Sequence, residues 1–394
     1  MIPSYYEFHN PVKIIAGNKA VDNIPYELSL LKARRPLIIT DQGVVGAGLL
    51  QIAVNAFAGS DAEVGAVFEH TPPDSSNEIV DEVARLFRDN RCDSIVAVGG
   101  GSVLDTAKGV NILVTEGGDS LLDYMGADVL KNPLMPLVAV PTTAGTGSEV
   151  TAVAVIANPK RHIKMPFTSF RLFPDIAVLD PRMTLTMPPK ITAATGMDAL
   201  THAVEAYSCG QKNPVSDAYS VAAIGLIRDN LLKAVKNGKD KKARFAMANA
   251  SLLAGVSFGN AMVGVVHAMA HASGGVAHVP HGVANAIFLP LGMEYNMSKA
   301  ADYYGELLLP LAGEDVYLST PKKERPQKAV EVIRELNRAL NAASGMPITL
   351  KEAGVAKSKL EEIAATAIND GALVFNPKAV EYDDALALAR AAYE

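Results

Sequence analysis

"SIVAVGGGSVLDTAKGV", residues 94–110, passes from an unbroken apolar run through three glycines and a serine into a helix-forming stretch. An apolar run without alternation is the pattern of a strand buried on both faces, and such strands belong to parallel sheets covered by helices. Glycines let backbone N–H groups approach a phosphate, and the following helix turns its positive N-terminal end toward the anion. The run is not GxGxxG, because Leu104 stands where the third glycine belongs when Gly99 and Gly101 are the first pair. Nor is it a Walker A loop, since no Gly-Lys-Ser/Thr follows at the required spacing. A tight strand-to-helix turn would use the same glycines, so the neighbouring segments have to decide.

The same order of elements recurs on both sides. "PLIIT" (36–40), "EVGAVF" (63–68), "PLVAV" (136–140) and "IAVLD" (176–180) are further short apolar runs, and helical patterns such as "NEIVDEVARLFRDN" (77–90) lie between them. Strand, helix, strand in succession predicts a parallel sheet with ligand sites at the carboxyl ends of its strands. Two more strand ends carry suitable chemistry. Asp41, in "LIITDQG" (37–43), can accept the ribose hydroxyls of an adenosine and would repel a 2′-phosphate, which predicts NAD in preference to NADP. "VPTTAGTGSEVT" (140–151) interleaves Thr142, Thr143, Thr146, Ser148 and Thr151 with two glycines. That composition suits a polar ligand, and equally a hydroxyl-rich turn.

Beyond about residue 185 the texture changes. Segments rich in Ala, Leu and Met, such as "PVSDAYSVAAIGLIRDNLLKAVKNG" (214–238), replace the strands. The paired prolines of "TLTMPPK" (184–190) mark the joint, since they stop one element and start another. Residues 1–186 are therefore expected to form an α/β dinucleotide-binding domain, and residues 187–394 an all-helical one.

With 49% apolar and 20% charged residues the chain has the balance of a soluble globular protein. A net charge of -6 and no long run of Lys and Arg argue against nucleic acid; "GKDKKAR" (238–244) reads as a solvated helix start. Two cysteines, Cys92 and Cys209, are too few for a disulfide scaffold. A cytoplasmic setting is expected, with no secretory signal in "MIPSYYEFHN" and no membrane partner.

Four of the eight histidines fall within "VVHAMAHASGGVAHVPHG" (265–282). Imidazole is the commonest protein ligand for transition metals, although a neutral imidazole also sits satisfied in many cores. The glycines of "SGG" (273–275) are expected to end one helix, and Pro280 to begin the next. His267 and His281 would then face each other across the bend. Asp198 and His202, in "TGMDALTHAVEAYSC" (195–209), stand four apart on one helical face and would complete the set. One carboxylate and three neutral imidazoles suit Fe²⁺ or Zn²⁺ with a position left for a substrate oxygen. No Glu occupies the zincin position between His267 and His271, which argues against a peptidase. His271 is read as a proton carrier beside the site, with a structural role as the alternative. His278 is read as loop or support, and His9, His70 and His162 as structural or surface residues.

With these residues in place, the sequence resembles the iron-containing (group III) alcohol dehydrogenase family along essentially its whole length. "GGGSVLDTAKG", "PTTAGTGSEVT", "DPRMTLTMPP", "GMDALTHAVEAY", "HAMAHASGGVAHVPHGVANAIFLP" and the late "FNP" (375–377) carry the resemblance. It implies a Rossmann-like N-terminal domain and a helical C-terminal domain, the fold shared with enzymes similar to dehydroquinate synthase. It places metal ligands on Asp198, His202, His267 and His281, and His271 beside the nicotinamide. It places cofactor contacts on Asp41, Gly100, Gly101, Ser102, Thr142, Thr143, Thr146, Thr151 and Lys164. Many members carry Asn-Pro where this chain reads "HTPPDSS" (70–76), so an Asn contact to the cofactor is missing or replaced here.

The expected activity is an NAD-dependent, divalent-metal-dependent alcohol dehydrogenase or aldehyde reductase. Hydride would pass between a metal-bound small primary alcohol and nicotinamide C4. Iron is the ion the resemblance implies, and zinc suits the same donors. The alternatives are a lyase similar to dehydroquinate synthase and a sister oxidoreductase similar to maleylacetate reductase. The first needs basic residues for a phosphate-bearing substrate that the second half lacks near its His motifs. The second lacks the full metal set. A homodimer or larger homo-oligomer is expected.

Overall fold

All five apolar runs contribute a strand to one six-stranded parallel sheet. In the computed structural model of the protein, residues 2–118, 120–161 and 163–394 are described; His162 lies outside them. The strands are β1 (Lys13–Ala16), β2 (Pro36–Ile39), β3 (Ala66–Phe68), β4 (Ser94–Gly99), β5 (Gly126–Ala127), β6 (Leu137–Pro141), β7 (Val153–Asn158), β8 (Ile163–Thr168) and β9 (Ile176–Leu179). The large sheet has the order β1-β9-β6-β4-β2-β3, and β5-β8-β7 form a small second sheet. "EVGAVF" shortens to the three residues of β3, which is an edge strand and pairs only with β2.

Alternate residues of the central strands face two separate cores, which is why their sequences show no alternation. Leu37, Ile39, Ile95, Ala97, Leu137 and Ala139 pack on one side with α4 (Asn77–Asp89) and α5 (Gly101–Glu116). Ile38, Val96, Val98, Val138, Val140 and Val178 pack on the other with α1 (Ile24–Leu30), α2 (Gln42–Gly46) and α3 (Leu49–Asn55). After β2 the chain adds β3 on one side and then returns to place β4 on the other. That reversal opens a crevice at the carboxyl ends of β2 and β4.

Residues 10–186 form one compact unit, and residues 187–394 with those up to His9 form the other. Phe8 stacks on Tyr219 at 5.8 Å, which ties the first residues to the helical unit. That unit contains α6 (Pro189–Ser208), α7 (Pro214–Lys236), α8 (Lys241–Ala261), α9 (Val265–Ala277), α10 (His281–Ala312), α11 (Glu314–Ser319), α12 (Arg325–Ser344), α13 (Leu360–Ala367) and α14 (Tyr382–Ala391). No single helix among the described residues is long and apolar enough to cross a membrane.

Two local expectations are corrected. "SGG" does not end its helix: α9 continues through both glycines to Ala277, and His278 caps it in the left-handed region at φ 56°. The cap holds because the His278 N–H bonds the Gly274 carbonyl and the Val279 N–H bonds the Ser273 carbonyl. Arg244, the last residue of "GKDKKAR", is not solvated but only 1% exposed. Its guanidinium donates to the carbonyls of Gly238 and Met187 and to Thr192 Oγ1.

Candidate metal centre and phosphate cradle

Asp198 and His202 lie one turn apart on α6, and both are buried. His267 sits in the first turn of α9, and His281 is the first residue of α10. One ligand atom from each of the four lies within 4.8 Å of the others. Gly282 makes this convergence geometrically possible. A Cβ there would stand 2.3 Å from the Ala194 carbonyl oxygen, so only glycine lets the start of α10 lie against α6.

The electrostatics suit a cation. Burial pushes the Asp198 carboxyl up, but His202, His281, His267 and the Asn285 amide outweigh it and hold the group below its ordinary value. Burial, followed by repulsion from His202 and His281, keeps His267 far below its ordinary value, so its imidazole is neutral. Asn285 Nδ2 stands 2.7 Å from Asp198 Oδ1, 3.2 Å from His267 Nε2 and 3.1 Å from His281 Nε2. A carboxylate oxygen and three imidazole nitrogens thus lie close together, on three buried residues and the partly exposed His281, and this is the donor set of a divalent transition metal.

Two residues that sequence reasoning missed organise this set. Glu205 Oε2 lies 2.6 Å from His267 Nδ1, and the carboxylate also accepts the N–H groups of Val266 and His267. With Nδ1–H directed at Glu205, the Nε2 lone pair of His267 faces the other ligands. Burial pushes Glu205 up to about 7, against the pull of these backbone N–H groups and that of Gly264. Its position three residues after His202 on the same face was the available signal. Asn376, from the late "FNP", accepts the Val265 N–H through Oδ1 and exchanges amide hydrogen bonds with Asn296. Glu205 and Asn376 together cap the helix that carries His267.

His271 lies four residues beyond His267, with its side chain 47% exposed and its ring stacked 5.2 Å from that of His281. Its Nδ1 is 2.8 Å from Asp370 Oδ2, a partner that sequence reasoning also missed. Burial raises the Asp370 carboxyl, but the hydrogen bond and charge of His271 and the Ala372 N–H carry it below its ordinary value. The His9 N–H bonds Asn260 Oδ1, and the His70 ring stands edge-on to Phe68.

In the other unit, Asp41, the glycine run and the threonine loop follow β2, β4 and β6, three neighbouring strands. Asp41 Oδ1 accepts the Val44 N–H and caps α2. Gly100 and Gly101 lie where a Cβ would come within 3.2 Å of Thr143 and 3.0 Å of Thr146, so the run and the loop pack directly together. The Thr142 N–H also bonds the Gly99 carbonyl. Ser102 Oγ donates to the Pro73 carbonyl, and Thr151 Oγ1 is 3.3 Å from Lys108 Nζ, so both hydroxyls are engaged within the protein. Lys164 stands apart on β8, paired with Asp74 of the 70–76 loop at 3.5 Å. Sequence reasoning overlooked Asp105, Thr106 and Lys108 on α5. Lys108 is the one charged residue of 106–115, in the middle of the helix, and that was the sign.

Residues 11–181 match the family described as iron-containing alcohol dehydrogenase, and residues 192–393 match the C-terminal region of the Fe-containing alcohol dehydrogenase family. The chain is 39% identical over 380 residues to the 1,3-propanediol dehydrogenase of Klebsiella pneumoniae, covering 96% of each chain. It is 35% identical over 378 residues to the NAD-dependent methanol dehydrogenase of Bacillus methanolicus, covering 96% of this chain and 97% of that one. The crystal structure of a 1,3-propanediol oxidoreductase superposes with a TM-score of 0.94 at 37% identity, covering 99% of this chain and 100% of the other.

Proposed function

This chain belongs to the iron-containing alcohol dehydrogenase family of oxidoreductases, and from that premise we propose that it interconverts a small primary alcohol and its aldehyde with NAD as hydride carrier. The observation that carries the reading is the convergence of Asp198, His202, His267 and His281. These residues would hold Fe²⁺, or Zn²⁺ in the same set, and the ion supplies Lewis acidity toward the substrate oxygen. Glu205 fixes the His267 tautomer, and Asn285 holds the Asp198 carboxylate in place. Asp370 orients the His271 ring through Nδ1, which leaves Nε2 to accept and pass on a proton. Asp41, a carboxylate at the end of β2, favours NAD over NADP.

Two further features belong to the proposal. Both cysteines are free and buried, which supports a cytoplasmic setting. The edge strand β1, with Ile14 exposed, supports pairing with a second copy of the chain.

The test is NADH oxidation with a panel of short aldehydes, using chelator-stripped protein refilled anaerobically with Fe²⁺ or Zn²⁺. Activity restored by one ion and graded by aldehyde length is expected. NADH binding without oxidation under any metal would overturn the dehydrogenase reading in favour of a lyase. For His271→Ala, unchanged metal stoichiometry with an altered pH profile of turnover is expected; an identical profile would remove the residue from proton transfer.

A further inference from the structure

Lys108 is 1% exposed, and its ammonium is surrounded by oxygen atoms from a single segment of chain. Nζ lies 2.8 Å from the Ser148 carbonyl, 2.9 Å from that of Thr151 and 2.8 Å from that of Val153. The hydroxyls of Ser148 and Thr151 stand at 3.1 and 3.3 Å. Its partners are therefore carbonyls and hydroxyls rather than a carboxylate. Asp105, one turn earlier on α5, accepts the Ser148 hydroxyl at 3.0 Å and the Val155 N–H at 3.1 Å. One face of α5 thus holds residues 148–155 with charges of both signs.

The physical need is plain. Three carbonyls converge in a buried place, from the short 3-10 turn at Ser148–Val150, from Thr151 after it and from the first residue of β7, and such a cluster is costly unless a donor serves it. An ammonium with three hydrogens does so, and a neutral side chain of the same length does not. The consequence reaches the site because α5 begins at Gly101, and the segment Lys108 grips is the end of the threonine loop that packs on Gly100 and Gly101. A second face of the helix holds the 73–75 segment, through Thr106 on Ser75 and Ser102 on Pro73.

We propose that Lys108 is a positioning residue for the dinucleotide: its tethered ammonium fixes the threonine loop in the conformation that receives the cofactor, and a free alkylammonium ion can take its place. This rests on the reading that residues 99–102 and 142–151 bind NAD. A loop that visits its binding conformation only part of the time weakens apparent affinity by that fraction, without altering the chemistry that follows.

NADH binding to the metal-loaded protein, read by nicotinamide fluorescence, tests the assignment. Lys108→Met is expected to raise the NADH Kd about tenfold or more, with metal content unchanged and kcat at saturating NADH within about threefold of wild type. In Lys108→Ala, propylammonium replaces the missing atoms from Cγ to Nζ and is expected to restore most of the lost affinity. Tetramethylammonium, which has no N–H donor, is expected to restore none. Wild-type binding with Lys108→Met unchanged, or equal rescue by both ions, overturns the proposal alone. Failure of the wild type to bind NADH overturns the dinucleotide reading and the proposal with it. If both Lys108 variants fail to fold, Ser148→Ala decides. A Kd about threefold weaker supports the assignment, and an unchanged one overturns it.

Discussion

His267 offers one nitrogen to its neighbouring ligands because Glu205 takes the other. Glu205→Gln keeps the size of the side chain but removes the charge that holds the tautomer. It is expected to weaken Zn²⁺ binding about 10- to 100-fold, measured by competition with a chromogenic chelator; equal affinity would leave Glu205 as a helix cap only. Glu149 makes a separate statement about stability. Buried in the turn at Ser148–Val150, it is pushed from 4.5 up to about 7 by desolvation, with its own N–H and Lys108 pulling the other way. Between those values the folded chain holds a proton that the unfolded chain has lost. Its contribution is therefore full below about 4.5 and disappears as pH rises through about 7. Glu149→Gln should flatten the decline of stability across that window, by on the order of 3 kcal/mol, in denaturant melts taken at a series of pH values. These residues also show which chemistry is legible in a sequence. Histidine is rare and clusters in sequence, so the ligands stood out. Glu205, Asp370 and Lys108 act on partners 62, 99 and 40 positions away, so the local pattern around Glu205 and Lys108 hints at a role without naming the partner, and nothing local marks Asp370.

Helix starts decide the geometry of the metal centre. Gly282→Ala would drive a methyl group into the Ala194 carbonyl and push α10 away from α6, taking His281 with it. A loss of about 1–3 kcal/mol with sub-stoichiometric metal is expected, read by elemental analysis beside a thermal melt; full metal occupancy would show that the helices yield without cost. The central strands were readable because burial on both faces leaves them uniformly apolar. β8 is not legible as an apolar run because Lys164 and Pro166 interrupt it, whereas β7, with Val153–Ala157 unbroken, carried the same signal as the central strands. The end of α9 was misplaced for another reason. Glycine only permits the left-handed turn, and here the capping hydrogen bonds to the Gly274 and Ser273 carbonyls form with His278 in that conformation instead.

The candidate metal set lies within residues 187–394 and the proposed cradle within residues 10–186, in separate compact units. Ligand linkage should therefore be divided. Zn²⁺ at about 100 times its Kd stabilises the unit that binds it by about 2.7 kcal/mol, and NADH does the same for the other. Scanning calorimetry should show each ligand raising a different transition, and a single transition moved equally by both would show that the units melt together. The change of texture falls near residue 185 and the compact units divide between 186 and 187, whereas nothing in the composition marks the first residues as companions of the helical unit. Asn376 adds a constraint of order in time. Its hydrogen bond to Val265 spans 111 positions, and a ribosome delivers residues in sequence. All four metal ligands are made well before the residue that completes the cap on their central helix. A nascent chain halted short of Asn376 therefore presents His267 on a helix start that Glu205 holds but whose Val265 N–H still lacks its native acceptor.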